Sequence, residues 1–441
     1  MAKSFFTQWH ALLGGVLLSA AAAAHAQDAS ALIDVLVKKG ILTDQEAVDV
    51  KTDLMRDAGA TPAGKINLAA TTTEFRIAGD LRARYEYRGG ENNLDDHQER
   101  NRFRYRFRAG FTGKVLNDFF YGFRLETAAG SRSSNVTMGD DGGPWAKTND
   151  TINIGQAYIG WSPNSAISLM AGRMPNPLVT TSMVWDGDIN PEGFAEQYKV
   201  HTTEVDYFVN LAQFVYGTAG SQNVFGAGPN NTDAYLLAWQ GGVKYSLGNG
   251  MSVQGAPVLY TYLHQKQNTN PAPFRGAFTG TNMAAINNLL VFELPVEFAF
   301  NTGTVPSRVF ADFAYNIDGN DRARKWGRPD LDGEDKAYQI GFQYGKAADR
   351  GTWDAKIFYQ SVGAFALDPN LVDSDLFDSR TNMKGFALTG DYALGNSTML
   401  TVTLANAKRK NGSIVAPGAG DIGTGALDKY WLGQVDLVLK F

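Results

Sequence analysis

The chain has 441 residues, of which 44% are hydrophobic and 12% aromatic, and its formal net charge is −5 at pH 7. This mild acidity argues against a nucleic-acid partner, because nucleic-acid-binding proteins present a basic surface. The sequence contains no cysteine, which excludes disulfide bonds and metal sites built on thiolates.

Residues 1–26 have the organisation of a secretory signal peptide. Lys3 supplies the positive start, the stretch ALLGGVLLSAAAAA at 11–24 is apolar, and the AHA sequence at 24–26 fits the cleavage rule. The apolar stretch is too short to be a membrane-spanning helix. We therefore expect an exported mature chain that begins near Gln27. A buried N-terminal helix is the alternative that the alanine-rich composition also permits.

Within residues 27–71, the part from 28 to about 58 has helical rather than alternating apolar spacing, and the rest is rich in Gly, Pro and Thr. Thr43 and Glu46 fit a capping box, and Gly40 and Gly59 lie where helices commonly end. We predict two short amphipathic helices followed by a linker. Such a segment would serve periplasmic oligomerisation or tethering; a weakly ordered amphipathic tail is the alternative.

From residue 72 to residue 441 the chain alternates polar and apolar side chains and is interrupted by turns. The stretch RNRFRYRFRAG at 100–110 is the clearest case, with an arginine at every second position and mostly aromatic rings between them. Successive side chains of a strand point to opposite faces, so this strand has one cationic face and one apolar face. The same analysis of the neighbouring strands gives a cationic face built from Arg76, Arg82, Arg84, Arg88, Arg102, Arg104, Arg106, Arg108 and Arg124.

The connections alternate between short turns, such as 114–117 and 162–165, and long polar loops, such as 129–149 and 364–382. This alternation is typical of an up-and-down barrel with short turns at one end and long outer loops at the other. Counting segments between breaks predicts about sixteen strands.

The apolar faces are strongly aromatic and recur on nearly every strand, whereas the opposite faces carry full charges. A soluble sandwich would bury its apolar faces against each other. In lipid, every backbone N–H and C=O needs a partner within the protein, so only helices and closed barrels span a membrane. We predict an all-β, transmembrane, antiparallel up-and-down barrel over residues 72–441, wide enough to leave an aqueous pore.

The two ends of the mature chain carry a resemblance to a known family. The last strand, YWLGQVDLVLKF at 430–441, resembles the assembly signal of bacterial outer-membrane barrels, with Phe441 as the final aromatic residue. Together with the opening ALIDVLVKKGILTDQEAVDV at 31–50, it resembles the bacterial outer-membrane Putative porin family, and more broadly the phosphate-selective porins. The resemblance implies a homotrimeric diffusion channel whose third loop folds into the lumen. The implied partners are outer-membrane lipid and the barrel assembly machinery.

The third-loop position is the segment 174–192, and its candidate constriction residues are Thr180, Thr181, Ser182, Asp186, Asp188 and Glu192. In the porins that the chain resembles, such a loop places carboxylates opposite a basic wall, which here would be the nine arginines. Opposed charges across a narrow pore sort solutes by charge. Two other interpretations stay open: the arginines pair with neighbouring acids such as Asp80, Glu86 and Glu126, and the loop aspartates are turn residues. The calcium-binding loop pattern is absent.

No catalytic motif is present, and His97 beside Asp95 and Asp96 is the only candidate for acid–base chemistry. We therefore expect no enzyme activity, no cofactor and no metal. The predicted function is passive diffusion of small hydrophilic solutes, leaning towards anions because of the arginines. The alternative is a barrel-anchored structural or adhesive surface protein in which conduction is incidental.

Overall fold

The computed structural model describes residues 68–92, 96–116, 118–128, 133–140, 151–217, 233–263, 289–325, 327–414, 421–422 and 427–441, with scattered positions between 33 and 50. The chain divides into two compact units, 1–72 and 73–441. The predicted signal peptide and most of the predicted linker lie outside the described residues.

In the first unit, residues 35–38 and 46–48 are helical. The predicted capping box forms: the Thr43 N–H donates to the Glu46 carboxylate at 2.8 Å, and the Glu46 N–H donates to Thr43 Oγ1 at 3.3 Å. None of the described helices is both long and apolar enough to span a membrane.

The second unit is almost entirely β-structure. Its strands are β1 (Thr72–Asn92), β2 (His97–Val115), β3 (Phe119–Ala128), β4 (Val136–Thr137), β5 (Thr151–Trp161), β6 (Ile167–Arg173), β7 (Glu192–His201), β8 (Val205–Gly217), β9 (Ala234–Gly248), β10 (Met251–Gly255), β11 (Val258–Leu263), β12 (Leu290–Thr302), β13 (Val305–Asn316), β14 (Lys336–Gly345), β15 (Trp353–Val362), β16 (Met383–Gly395), β17 (Thr398–Arg409) and β18 (Leu427–Lys440). A short helix, Gly319–Lys325, and two 3₁₀ turns, Pro329–Leu331 and Phe377–Ser379, lie in the connections.

These strands close into one antiparallel barrel, because β18 pairs with β1. Two of the eighteen strands do not add a crossing. The two-residue β4 lies in a connection and pairs with β2. The strands β10 and β11 are halves of one strand, because both pair with β9 and β12 on either side of a break at Ala256 and Pro257. The described strands therefore make sixteen crossings, and the predicted fold class and strand count are confirmed.

Strand alternation separates two chemically different surfaces. On β2, Phe103 is 61% exposed on the outside, whereas its neighbour Arg102 is only 7% exposed on the inside. The outward set is apolar on strand after strand, including Ile159 at 68% and Phe386 at 58%. This distribution is what a barrel between lipid and a wet lumen requires.

Two of the connections that the structure describes fold into the barrel. The first inserted loop, residues 174–191 between β6 and β7, packs Met183 and Trp185 against the inward side chains Phe214 and Tyr260. The second inserted loop, residues 363–382 between β15 and β16, buries apolar side chains in the same cluster, including Leu367 and Leu371. This second loop overlaps the segment 364–382, which the sequence predicts as a long outer loop. It lies inside the barrel because its apolar side chains are buried only against the inward-facing residues of the strands.

Candidate functional site

The cationic face of β1 and β2 lies inside the barrel, and part of it is buried beneath the second inserted loop. Arg84, Arg88, Arg102 and Arg104 are each at most 7% exposed, and Glu86 between them is 0% exposed. All five residues sit on the inward face because they occupy alternate positions of their strands.

Glu86 is the centre of this group. Its carboxylate accepts hydrogen bonds from Arg102 Nε at 2.5 Å and Arg88 Nε at 3.0 Å. Guanidinium nitrogens of Arg84 and Arg104 each lie 3.5 Å from Glu86 Oε2. One carboxylate therefore contacts four guanidinium groups, which leaves positive charge for other acids to balance.

Connections that are distant in sequence supply those acids. Asp375 of the second inserted loop lies 2.7 Å from Arg84 and 3.1 Å from Arg88. Asp421 contacts Arg102 and lies 3.5 Å from Arg88. Burial opposes ionisation of both aspartates, but the neighbouring guanidinium groups lower the pKa of each. Asp378 and Asp436 of β18 complete the set, which is called the arginine cluster. Its members are Arg84, Arg88, Arg102, Arg104, Glu86, Asp375, Asp378, Asp421 and Asp436.

Three further arginines of the wall lie next to acids outside the arginine cluster. Arg106 lies 2.7 Å from Asp80, and Arg124 lies 2.9 Å from Glu126. Arg108 lies 2.7 Å from Asp188 of the first inserted loop. The loop carboxylate therefore contacts the basic wall directly instead of facing it across an open gap.

Three further polar groups of the first inserted loop hold it in place. The Asp186 carboxylate accepts the N–H of Ser374 at 2.9 Å, and the Ser182 carbonyl accepts the N–H of Asp373 at 3.2 Å, so the two inserted loops are joined. The Thr180 hydroxyl donates to Glu293 on β12 at 2.6 Å.

Behind Thr180 lie two buried acids that the sequence interpretation did not connect with the loop. Glu293 also accepts the Tyr260 hydroxyl at 2.7 Å, and Asp312 on β13 accepts the Thr181 hydroxyl. Within the described part of the chain, no basic side chain lies within 4.0 Å of either carboxyl group. Hydroxyl groups of the loop and of Tyr260 thus donate to both acids, which fastens the loop to the wall.

Some of the predicted site residues lie elsewhere. Arg76 is exposed near the start of β1 and pairs with Glu74 at 2.6 Å. Glu192 shares the outward face of β7 with Phe194 and accepts a hydrogen bond from Arg173 at 2.6 Å, so it does not line the lumen.

Two predicted end and loop residues also have defined contacts. The Phe441 backbone exchanges hydrogen bonds with Gly79 at 2.9 and 3.1 Å, next to the seam between β18 and β1. His97 lies 2.9 Å from Glu99, and Asp95 lies outside the described residues.

Two half-buried inward cations have no carboxylate within 4.0 Å in the part of the chain that the structure describes: Arg82 on β1 and Lys356 on β15. These are called the two lumen cations. Arg82 reaches only the Asn135 side-chain oxygen, at 3.5 Å, and Lys356 lies 5.8 Å from the Phe358 ring centre. The sequence interpretation did not select Lys356, although its place on the polar face of TWDAKIFYQ could have indicated it.

A polar wall connects the two lumen cations. The inward side chains of β16 and β17 between them are half-buried and polar: Thr389, Asp391, Thr401 and Thr403. A cavity of about 270 Å³ beside the first inserted loop is lined by Ser182, Arg308 and Lys356 among others. The lumen therefore keeps a half-buried polar stretch outside the apolar clusters that hold the inserted loops.

A closed barrel with an apolar outer surface, a polar interior and loops folded inward defines an outer-membrane protein of the porin type. The model of the family described as "Putative porin" matches residues 88–286 and 277–417, and the chain belongs to this family. The predicted family resemblance is confirmed.

Solved porin structures resemble the chain at low sequence identity. A mutant of the Rh. blastica porin has 9% identity, a TM-score of 0.42, and coverage of 83% of this chain and 100% of that chain. Salmonella typhi OmpF in complex with daunomycin has 9% identity, a TM-score of 0.47, and coverage of 85% and 100%. No curated protein matches the sequence.

Proposed function

We propose that the protein is a passive diffusion channel of the bacterial outer membrane for small hydrophilic solutes. The observation that carries this proposal is the group of half-buried polar side chains on β15–β17 and β1 that lies outside the two apolar clusters holding the inserted loops. The channel carries out no reaction and needs no cofactor. The proposal includes export through the signal peptide at residues 1–26, Phe441 as the assembly signal, and a homotrimer as the working state.

Both inserted loops form the constriction in this proposal. The first loop contributes Thr180, Ser182, Asp186 and Asp188, and the second contributes Asp373. Their apolar side chains pack mainly against β8–β14, and Leu376 and Phe377 of the second loop pack against β15–β18, so the free cross-section of the lumen lies along the half-buried polar side chains outside both clusters. Solutes would pass between the loops and the wall of β15–β17 and β1.

We further propose that the channel prefers anions and that the two lumen cations produce most of this preference. Most arginines of the wall have a carboxylate within 4.0 Å, and paired charges contribute little net potential to the lumen. Arg82 and Lys356 keep their charge without such a partner. Asp391 and Asp373 oppose them, so the preference for anions should be moderate.

Arg82→Gln combined with Lys356→Gln should shift the permeability ratio towards cations roughly threefold, because the two charges, screened by pore water, together contribute about 0.5–1 kcal/mol. The measurement is the reversal potential of the channel in a planar bilayer under a salt gradient. The control is Arg308→Gln with Glu297→Gln, which removes a neutral ion pair 2.6 Å apart from the same region. An unchanged reversal potential in the first variant would remove the two lumen cations from the proposal.

Asp373 makes the ion preference dependent on pH. Burial, together with the carboxylates of Asp186 and Asp375, raises the pKa of Asp373 to about 7. Lowering the pH through this value neutralises Asp373, so the preference for anions should increase as the pH falls from about 8 to about 6. The folded state also binds this proton more tightly than the unfolded chain does, so this group adds stability as the pH falls through the same window.

Reversal potentials recorded across this pH range check the expectation. Asp373→Asn should show the low-pH preference throughout and lose the pH dependence. A variant that still titrates like the natural protein would assign the effect to another group.

A further inference from the structure

The outer surface of β7 and β8 carries a polar pair at the depth where the barrel is otherwise apolar. Glu196 lies between Phe194 and Tyr198, which are 61% and 50% exposed, whereas Ala195 is buried inside. Gln213 on β8 also points outwards, because Phe214 beside it belongs to the interior cluster. The Gln213 side-chain amide donates to the Glu196 carboxylate at 3.0 Å.

The position of this pair along the strands is central. Glu196 is the fifth of the ten residues of β7, and it stands opposite Leu169 on β6 and Leu211 on β8. Among the described strand residues, Glu196 is the only acidic residue on the outward face at mid-strand. Hydrocarbon offers no hydrogen-bond partner for the remaining polar atoms of a carboxyl group and an amide, so such groups are expensive on a lipid-facing surface.

A hollow lies on the same outer surface, over β3, β5 and β6. It has a volume of about 310 Å³ and is lined by Phe123, Ala157, Ile159 and Ala171, among others. Ala171 stands opposite both Ile159 and Phe194, so the hollow reaches the edge of β7. Small side chains at this position allow another surface to approach closely.

A second polar pair lies on the same outer surface. Arg173 on β6 donates to Glu192 on β7 at 2.6 Å, and both are partly exposed. The outward face of β5–β8 thus combines two polar pairs, one hollow and the projecting rings of Phe194 and Tyr198.

We infer that the outward face of β5–β8, centred on Glu196 and Gln213, is the surface through which copies of this chain contact one another. The partner must lie at the same depth in the membrane and offer hydrogen-bond partners and side chains that fill the hollow. A second copy of this barrel spans the membrane in the same way, so its side chains lie at the same depths. This inference assigns the contact surface of the homotrimer proposed above, and it rests on that part of the proposal alone.

The chain has no cysteine, so single cysteines can carry spin labels without background. Leu211→Cys reports on the proposed contact surface, and Ile340→Cys, which is 54% exposed at mid-strand on β14, is the control. In purified protein reconstituted into liposomes, the label at 211 should collide with oxygen several-fold less often than the label at 340. It should also show dipolar broadening that dilution with unlabelled protein removes.

A second variant tests the contact without a spin label, because a label at position 211 could itself disturb the contact. Glu196→Leu with Gln213→Leu should lower the temperature at which the oligomer dissociates on semi-native gels, whereas a lipid-facing pair would gain stability from the same change. Equal oxygen accessibility of the two labels, or an oligomer that dissociates no earlier in the double variant, would overturn the inference. Single-barrel conductance should be unchanged in this variant, which separates a failed interface from a failed channel.

Discussion

Glu86→Gln should destabilise the barrel by about 3–5 kcal/mol, because it removes the central acid of a buried charge cluster. The glutamine keeps the shape of Glu86 but leaves the guanidinium groups of Arg88 and Arg102 without the carboxylate that they contact at 3.0 and 2.5 Å. The second inserted loop is attached to the same arginines through Asp375, so its position should be disturbed too. Thermal unfolding in detergent and heat-modified gel mobility measure the loss.

Glu297→Gln is the matched control for this prediction. It removes one partner of the Arg308–Glu297 pair, whose side chains are 41% and 37% exposed, and exposed pairs contribute about 0–1 kcal/mol. If both substitutions lowered the unfolding temperature equally, the arginine cluster would not have the structural role assigned to it.

Met183→Ser combined with Trp185→Ser should release the first inserted loop and increase single-channel conductance. The two side chains are 0% and 4% exposed, and truncating one large buried side chain costs about 2–5 kcal/mol. The polar contacts of Thr180, Thr181 and Asp188 would remain, so we expect a wider pore with frequent switching between conductance levels. Single-channel recording in a planar bilayer measures both effects.

Met138→Ser is the control, because Met138 lies in another connection and is 52% exposed. Its conductance should equal that of the natural protein. A double variant with unchanged conductance and unchanged noise would mean that the first inserted loop does not limit the pore.

The fold could be predicted because the two surroundings of the barrel differ so strongly. A side chain such as Phe103 faces outwards and its neighbour Arg104 faces the interior, so the period of two is visible in the residues themselves. The alternation of short and long connections then gave the strand number. The constriction candidates Asp188 and Thr180 also occur in the loop that folds inward.

The second inserted loop could not be separated from the outer loops by composition. Its Asp, Asn, Gly and Ser content resembles theirs, and its buried side chains, such as Phe365 and Phe377, follow no period of two or 3.6. The burial of Phe377 depends on small inward residues, among them Ala387 and Ala407, that lie on other strands. Only the assembled barrel brings these surfaces together.

Charge pairing was equally hidden in the sequence. Alternation identifies the face on which Arg84 lies but not its partner Asp375, which is 291 positions away along the chain. Both interpretations of the arginines therefore stayed open until the loops were located. The distances now favour pairing for most of the arginines and leave Arg82 as the exception.

Planar-bilayer recording of the purified natural protein tests the central claim most directly. A channel through the polar side of the lumen predicts large, ohmic conductance steps as single oligomers insert. A protein that inserts into the bilayer but gives no steps would contradict the channel and support a barrel that only anchors surface loops.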